Sequence, residues 1–163
     1  MKPAAYIETS VVSYLTARPS RDIVVAGNQQ VTREWWETAG NRFSLVASPL
    51  VLEEAARGDA EAARARLQAL EIVAVLEVTL EARRLARTFL AIGSVPQTAA
   101  VAAAHGVDYL LTWNFRHLAN AVMRPRIERA CREAGYEPPA ICSPYELMEV
   151  RRADDVETRP GDC

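Results

Sequence analysis

Lysine is nearly missing from this chain: of 19 cationic side chains only Lys2 is a lysine, and the rest are arginines. A bias of that kind, spread through a whole sequence, reflects coding composition more readily than a phosphate-binding surface. The net charge of -2 also means that any nucleic-acid partner has to be met by a local patch. Glycine is scarce as well, with seven residues and neither GxxxxGKS/T nor GxGxxG among them, so no phosphate-cradling loop is expected. The three cysteines, Cys131, Cys142 and Cys163, are odd in number and lack CxxC spacing. That argues against both a disulfide framework and a zinc site. No apolar run approaches the roughly 18–20 residues of a membrane helix, and the first apolar stretch is broken at Glu8. Neither a membrane span nor a signal peptide is expected, which points to the cytoplasm. Aspartate occurs before residue 150 only at Asp22, Asp59 and Asp108, so chemistry built on several aspartates has few candidates, and a receiver-type phosphoacceptor is ruled out.

What remains is a chain of 163 residues, half of them hydrophobic, enough for one domain with an ordinary core. Residues 1–150 are read as that domain. From Arg151 onward the polar, acidic stretch broken by Pro160-Gly161 reads as a mobile tail over 151–163.

Strands are expected at 4–7, 43–47, 72–76, 107–112 and, more briefly, 140–142, from short apolar runs rich in β-branched and aromatic residues. Helices are expected from Asp22 to Glu37, from Ser48-Pro49 to about Arg57, and from the Asp59 cap to Leu70. Others should run from Thr79 to Gly93, from Pro96 to His105 and from Asn120 to Ala134, with a last turn from Pro144 to Met148. Strands alternating with helices imply parallel pairing through right-handed crossovers. The fold class is α/β, a three-layer sandwich with a central parallel sheet of four to five strands and helices on both faces.

Ligands of open parallel sheets bind beyond the carboxyl ends of the strands. There the chain offers Glu8, Thr9 and Ser10 after the first strand, and Ser48 with Glu53 and Glu54 after the second. Thr112, Trp113, Asn114 and His117 follow the fourth. Such oxygen-rich edges suit a hard cation such as Mg²⁺, which can ionise a water and offset the charge of a phosphodiester under attack. Glu8, a carboxylate directly after a buried strand and between hydroxyls, is the best single candidate. Of Glu53 and Glu54, neighbours on a helix, only one can face inward. His105 and His117 read as structural or surface residues, the tryptophans Trp35, Trp36 and Trp113 as core or contact surface, and Asp108 as a group that satisfies local backbone.

Three segments carry a resemblance. Tyr6-Ile7-Glu8-Thr9-Ser10-Val11-Val12, Ser48-Pro49-Leu50-Val51-Leu52-Glu53-Glu54 and Asp108-Tyr109-Leu110-Leu111-Thr112-Trp113-Asn114 resemble a PIN domain, of the branch whose fourth strand ends in Thr-Trp-Asn. The similarity spans residues 4 to about 148. It implies a VapC-like ribonuclease dependent on Mg²⁺ or Mn²⁺, with RNA as substrate, an antitoxin protein as partner, and a homodimer. Carried over by position, it implies Glu8 and Glu54 as metal ligands and catalytic groups. Asn114 takes the position of a further acid, and Thr9 and Thr112 support the site; Arg116 and Arg124 are candidates to meet RNA phosphates. One departure is plain: the third acid of the family falls near Val95, and the stretch from Ser94 to His105 contains no acid. The resemblance therefore implies an endoribonuclease weakened to one metal or, as the alternative, a catalytically degenerate domain that binds RNA or protein.

Overall fold

In the computed structural model, which describes residues 1–93 and 95–148, five parallel strands form one sheet. They are β1 (Ala4–Ile7), β2 (Ser44–Ala47), β3 (Ala74–Val75), β4 (Tyr109–Leu111) and β5 (Ala140–Cys142), in the order β3-β2-β1-β4-β5. The register sets Tyr6 beside Val46 on one side and Leu110 on the other. β1 is thus the middle strand, and the direction of strand addition reverses between β1 and β4. The tail reading for 151–163 falls outside the described residues.

The α-helices among the described residues are α1 (Thr9–Thr16), α2 (Ile23–Arg42), α3 (Pro49–Ala55), α4 (Ala60–Leu70), α5 (Leu80–Leu90), α6 (Gln97–Ala104) and α7 (Met123–Glu133). A 3₁₀ turn over Pro144–Leu147 follows β5. Right-handed crossovers put α1 to α4 on one face and α5 to α7 on the other; accordingly α1 packs against α2, α3 and α4, while α5 packs against α6 and α7. Tyr6, Ile7, Leu110 and Leu111 are fully buried between the layers, with Trp35 and Phe89 among the largest side chains of the core. This is the expected three-layer α/β sandwich.

Caps explain most boundaries. Asp22 accepts hydrogen bonds from Val24 N and Val25 N, Asp59 from Ala62 N, and Thr79 from Ala82 N, each satisfying first-turn donors of its helix. Pro49 occupies the first turn of α3, where its missing N–H costs nothing. β3 and β4 are shorter than the expected 72–76 and 107–112, and two helices differ more deeply from the sequence expectation. α1 has no counterpart in it, because Thr9, Val11, Val12 and Thr16 are β-branched and weak helix formers; burial of Thr9, Val11 and Val12 supplies what propensity withholds. α2 runs past Glu37 and through Gly40 to Arg42, since Ala39 and Phe43 are buried beyond that point and their packing outweighs the roughly 1 kcal/mol that a helical glycine costs.

No helix among the described residues is long and apolar enough to cross a membrane.

Candidate metal centre at the sheet edge

Glu8 leaves β1 at the point where the strand order reverses, the crevice that open α/β sheets use for ligands. It is also the N-cap of α1, and one of its oxygens, Oε2, collects every bond the side chain makes. Ser10 N donates to it at 3.1 Å, Thr112 Oγ1 at 2.9 Å, and Ser10 Oγ donates as well. The other oxygen, Oε1, makes no hydrogen bond to any described residue. Glu8 is only 6% exposed. One oxygen is therefore fixed and the second is not engaged by any described residue, at the positive end of a helix dipole that favours the charged form.

The hydroxyls around Glu8 are themselves held. Trp113 N donates to Ser10 Oγ at 2.8 Å, and Asn114 N to Thr112 Oγ1 at 2.9 Å. Ser10 thus uses both its hydroxyl and its backbone amide at the site. It enters the sequence reading only as a flanking hydroxyl, although a polar residue two positions after an N-cap is a legible signal.

Glu54 comes from the last turns of α3. Thr9 Oγ1 donates to its Oε2 at 2.9 Å, so the adjacent residues Thr9 and Ser10 hold the two carboxylates, Glu54 and Glu8 respectively. Glu53 turns elsewhere, into an adjoining groove of about 580 Å³ whose walls include Leu50, Val78, Arg83, Arg87 and Gln97. Beneath the pair, Tyr6 and Ser48, both fully buried, share a hydrogen bond of 2.6 Å between their hydroxyls. This ties β1 to the cap of α3, a link that the spacing of residues 6 and 48 does not reveal.

Burial pushes the Glu8 carboxyl above the ordinary glutamate range; the bonds from Ser10 and Thr112 pull it back, and the charge of Glu54 adds to the rise. Tyr6 is raised too, first by burial and then by the charges of Glu8 and Glu54, against the lowering effect of Ser48. None of the groups acting on Glu8 is a cation, and neither carboxylate has an ion-pair partner among the described residues. Two carboxylates near enough for the charge of one to act on the other, with no cation among the groups that act on Glu8, fit one divalent cation that keeps most of its waters.

The donor set goes no further than that. Among the described residues no three His, Cys, Asp or Glu side chains converge. Val95, where the third acid was sought, is a buried core residue. Asn114 sits at the same edge, but its Oδ1 accepts from His117 N at 3.0 Å and so closes a turn. Arg116 is exposed, whereas Arg124 pairs with Glu146 at 3.3 Å. His105 Nε2 lies 2.8 Å from Glu77 O. Trp35 and Trp113 are buried in the core. Asp108 stands at the opposite end of the sheet, as expected, yet it does not serve local backbone: its Oδ2 accepts from Ala4 N at 2.7 Å, a clamp between β4 and β1.

No family model matches this chain, and no curated protein matches it. Among solved structures it is similar to a chain in the crystal structure of VapBC2 from Rickettsia felis bound to a DNA fragment from their promoter. The fold is shared with VapBC2. The superposition has a TM-score of 0.55 and covers 86% of this chain and 98% of the VapBC2 chain. At 14% sequence identity, the likeness to VapBC2 establishes the α/β architecture and leaves the chemistry to the residues themselves.

Proposed function

We propose that this protein is a divalent-metal-dependent endoribonuclease of the PIN, VapC-like type, working with a reduced set of acids. The observation that carries this reading is the convergence of Glu8 and Glu54 at the reversal point of the sheet, uncompensated by any cation that acts on Glu8. Glu8 Oε1 and the carboxylate of Glu54 are the groups that would hold Mg²⁺ or Mn²⁺. When bound, such an ion supplies Lewis acidity to a phosphodiester and lowers the pKa of water.

The chain's own part is orientation. Ser10 and Thr112 lock the Glu8 carboxylate, Thr9 locks that of Glu54, and the Tyr6–Ser48 bond fixes the elements that carry them. Two acids suit a single ion; two ions about 3.5–4 Å apart need more negative charge than this pair provides. Cleavage is accordingly expected to be slow. Asn114 adds a neutral side chain at the edge, and Arg116 is placed to meet a phosphate of the RNA.

The similarity to VapBC2, a toxin–antitoxin assembly, supports an antitoxin protein as the partner and a cytoplasmic site of action. Self-association as a homodimer belongs to the same reading. The absence of a third converging acid among the described residues favours a second reading, a degenerate domain that binds RNA without cutting it.

The test is cleavage of RNA by purified protein with Mn²⁺ or Mg²⁺, beside Glu8→Gln and Glu54→Gln. Metal-dependent cleavage that falls by at least about 10²-fold in both variants supports the nuclease. RNA binding without cleavage supports the second reading, and cleavage that persists in Glu8→Gln removes Glu8 from the site.

A further inference from the structure

The segment after β4, whose Thr112 and Trp113 are bonded to Glu8 and Ser10, holds an aromatic ring at the surface. Phe115 follows Asn114 directly and is 49% exposed, although its neighbour Trp113 is buried. Behind it stands a column of rings. Trp113 is stacked on Tyr14 with centroids 5.7 Å apart, donates from Nε1 to Thr32 Oγ1 at 2.8 Å, and meets Phe115 edge-on at 5.8 Å.

The backbone that carries Phe115 is held as firmly. Phe115 N donates to Trp113 O at 2.9 Å, and Leu118 N and Ala119 N donate to Asn114 O at 3.1 and 2.9 Å. Asn120 Nδ2 donates to Phe115 O at 2.7 Å and to Arg116 O at 3.0 Å. A ring on so closely bonded a loop is displayed, not free to fold into the core. Single exposed apolar residues are common; this one is set apart by its place. Asn114 N bonds Thr112 Oγ1, Thr112 bonds Glu8, and the exposed cation Arg116 follows.

We propose that Phe115 is a stacking platform for an unpaired base of single-stranded RNA whose backbone lies at Glu8 and Glu54, with Arg116 against a neighbouring phosphate. The proposal rests on the ribonuclease reading and adds to it a residue that would hold a base. In an A-form duplex the base faces are covered by their neighbours, whereas an unpaired base offers a free face to an aromatic side chain. Stacking is tolerant of sequence because every base has such a face.

The experiment measures fluorescence anisotropy of a short unstructured RNA, of the same RNA annealed to its complement, and of an abasic strand of equal length. The protein carries Glu8→Gln so that the RNA stays intact. Phe115→Ala is expected to weaken single-strand binding by about 5- to 150-fold, which is about 1–3 kcal/mol. Phe115→Trp should retain it. The abasic strand and the duplex should bind the parent and Phe115→Ala alike, and Ile72→Ala, at an exposed apolar residue before β3, should change nothing. Equal loss on the abasic strand, unaltered single-strand binding by Phe115→Ala, or a Trp variant as weak as the Ala variant overturns the platform. So does a Phe115→Ala effect confined to self-association. If protein with Glu8 intact cleaves RNA in a Glu8-dependent way and Phe115→Ala in that background keeps the same KM, the platform falls and the nuclease stands; if no RNA binds, both fall.

Discussion

Thr112 Oγ1 donates to Glu8 Oε2 at 2.9 Å across 104 residues of sequence. The hydroxyl at the end of β4 and the carboxylate at the end of β1 are brought together by strand pairing alone, Ile7 beside Leu111. Thr112→Val keeps the shape and deletes the donor. Bonds to buried charged groups contribute about 1.5–3 kcal/mol, so urea unfolding of Thr112→Val should show a loss of that size. Mn²⁺ affinity should fall with it, and Thr112→Ser should restore both. A Val variant with unchanged Mn²⁺ affinity would show that Ser10 alone orients Glu8.

Acidity should reveal the same carboxyl. Glu8 is held above the ordinary glutamate range, by burial first and by the Glu54 charge in addition. A carboxyl with a higher pKa folded than unfolded keeps its proton better in the native state. Its contribution is complete below the unfolded value and is lost as pH rises through the folded one. The melting temperature in chelator should therefore decline as pH rises beyond the ordinary glutamate range, and Glu8→Gln should flatten that decline. Mn²⁺ competes with the proton for the same oxygens, so its stabilising effect should grow over the same pH range. A decline that survives in Glu8→Gln belongs to another group.

Thr98 offers a stability test away from the carboxylates. Its Oγ1, in the first turn of α6, is buried with no hydrogen-bond partner among the described residues. An unmet buried hydroxyl carries a desolvation cost that an isosteric methyl does not. Thr98→Val should raise unfolding free energy by about 1 kcal/mol, measured by urea denaturation. A loss of stability instead would mean that the hydroxyl has a partner in solution.

Thiol chemistry should be silent in the native state. Burial pushes the Cys131 thiol up to about 11 and the Cys142 thiol up to about 12, and only the thiolate reacts. With Cys163→Ser, a disulfide reagent at neutral pH should label neither cysteine until denaturant is added, after which two should react. Fast native labelling at Cys142 would mean that β5 opens readily.

Local chemistry explains which parts of this fold the sequence discloses. Asp59 and Thr79 announce their helices because a cap acts within three residues, whereas α3 is announced by Pro49 in its first turn, the Ser48 hydroxyl being spent on Tyr6 and not on a cap. The run from Val107 to Thr112 announces β4 because it is apolar and bounded by Gly106. β3 shrinks from the expected 72–76 to Ala74–Val75, since at the sheet's edge it has β2 alone to pair with. What was hidden is what depends on distant partners. Packing against other helices keeps the β-branched α1 helical, and Asp108 reaches Ala4 N across the sheet. The carboxylates show the same division: helical geometry said that only one of Glu53 and Glu54 faces inward, the family resemblance chose Glu54, and only the Thr9 hydroxyl shows how that side chain is gripped.

The middle strand of the sheet is also the first to leave the ribosome. β2 and β3 can add to one flank of β1 early in synthesis, while β4 and β5 must wait for the last third of the chain. Until then Glu8 lacks Thr112, the α1 cap lacks its outer wall, and the ring of Phe115 has not been made. A chain made only as far as β3 would thus hold Glu8 without the hydroxyl of Thr112 that orients it.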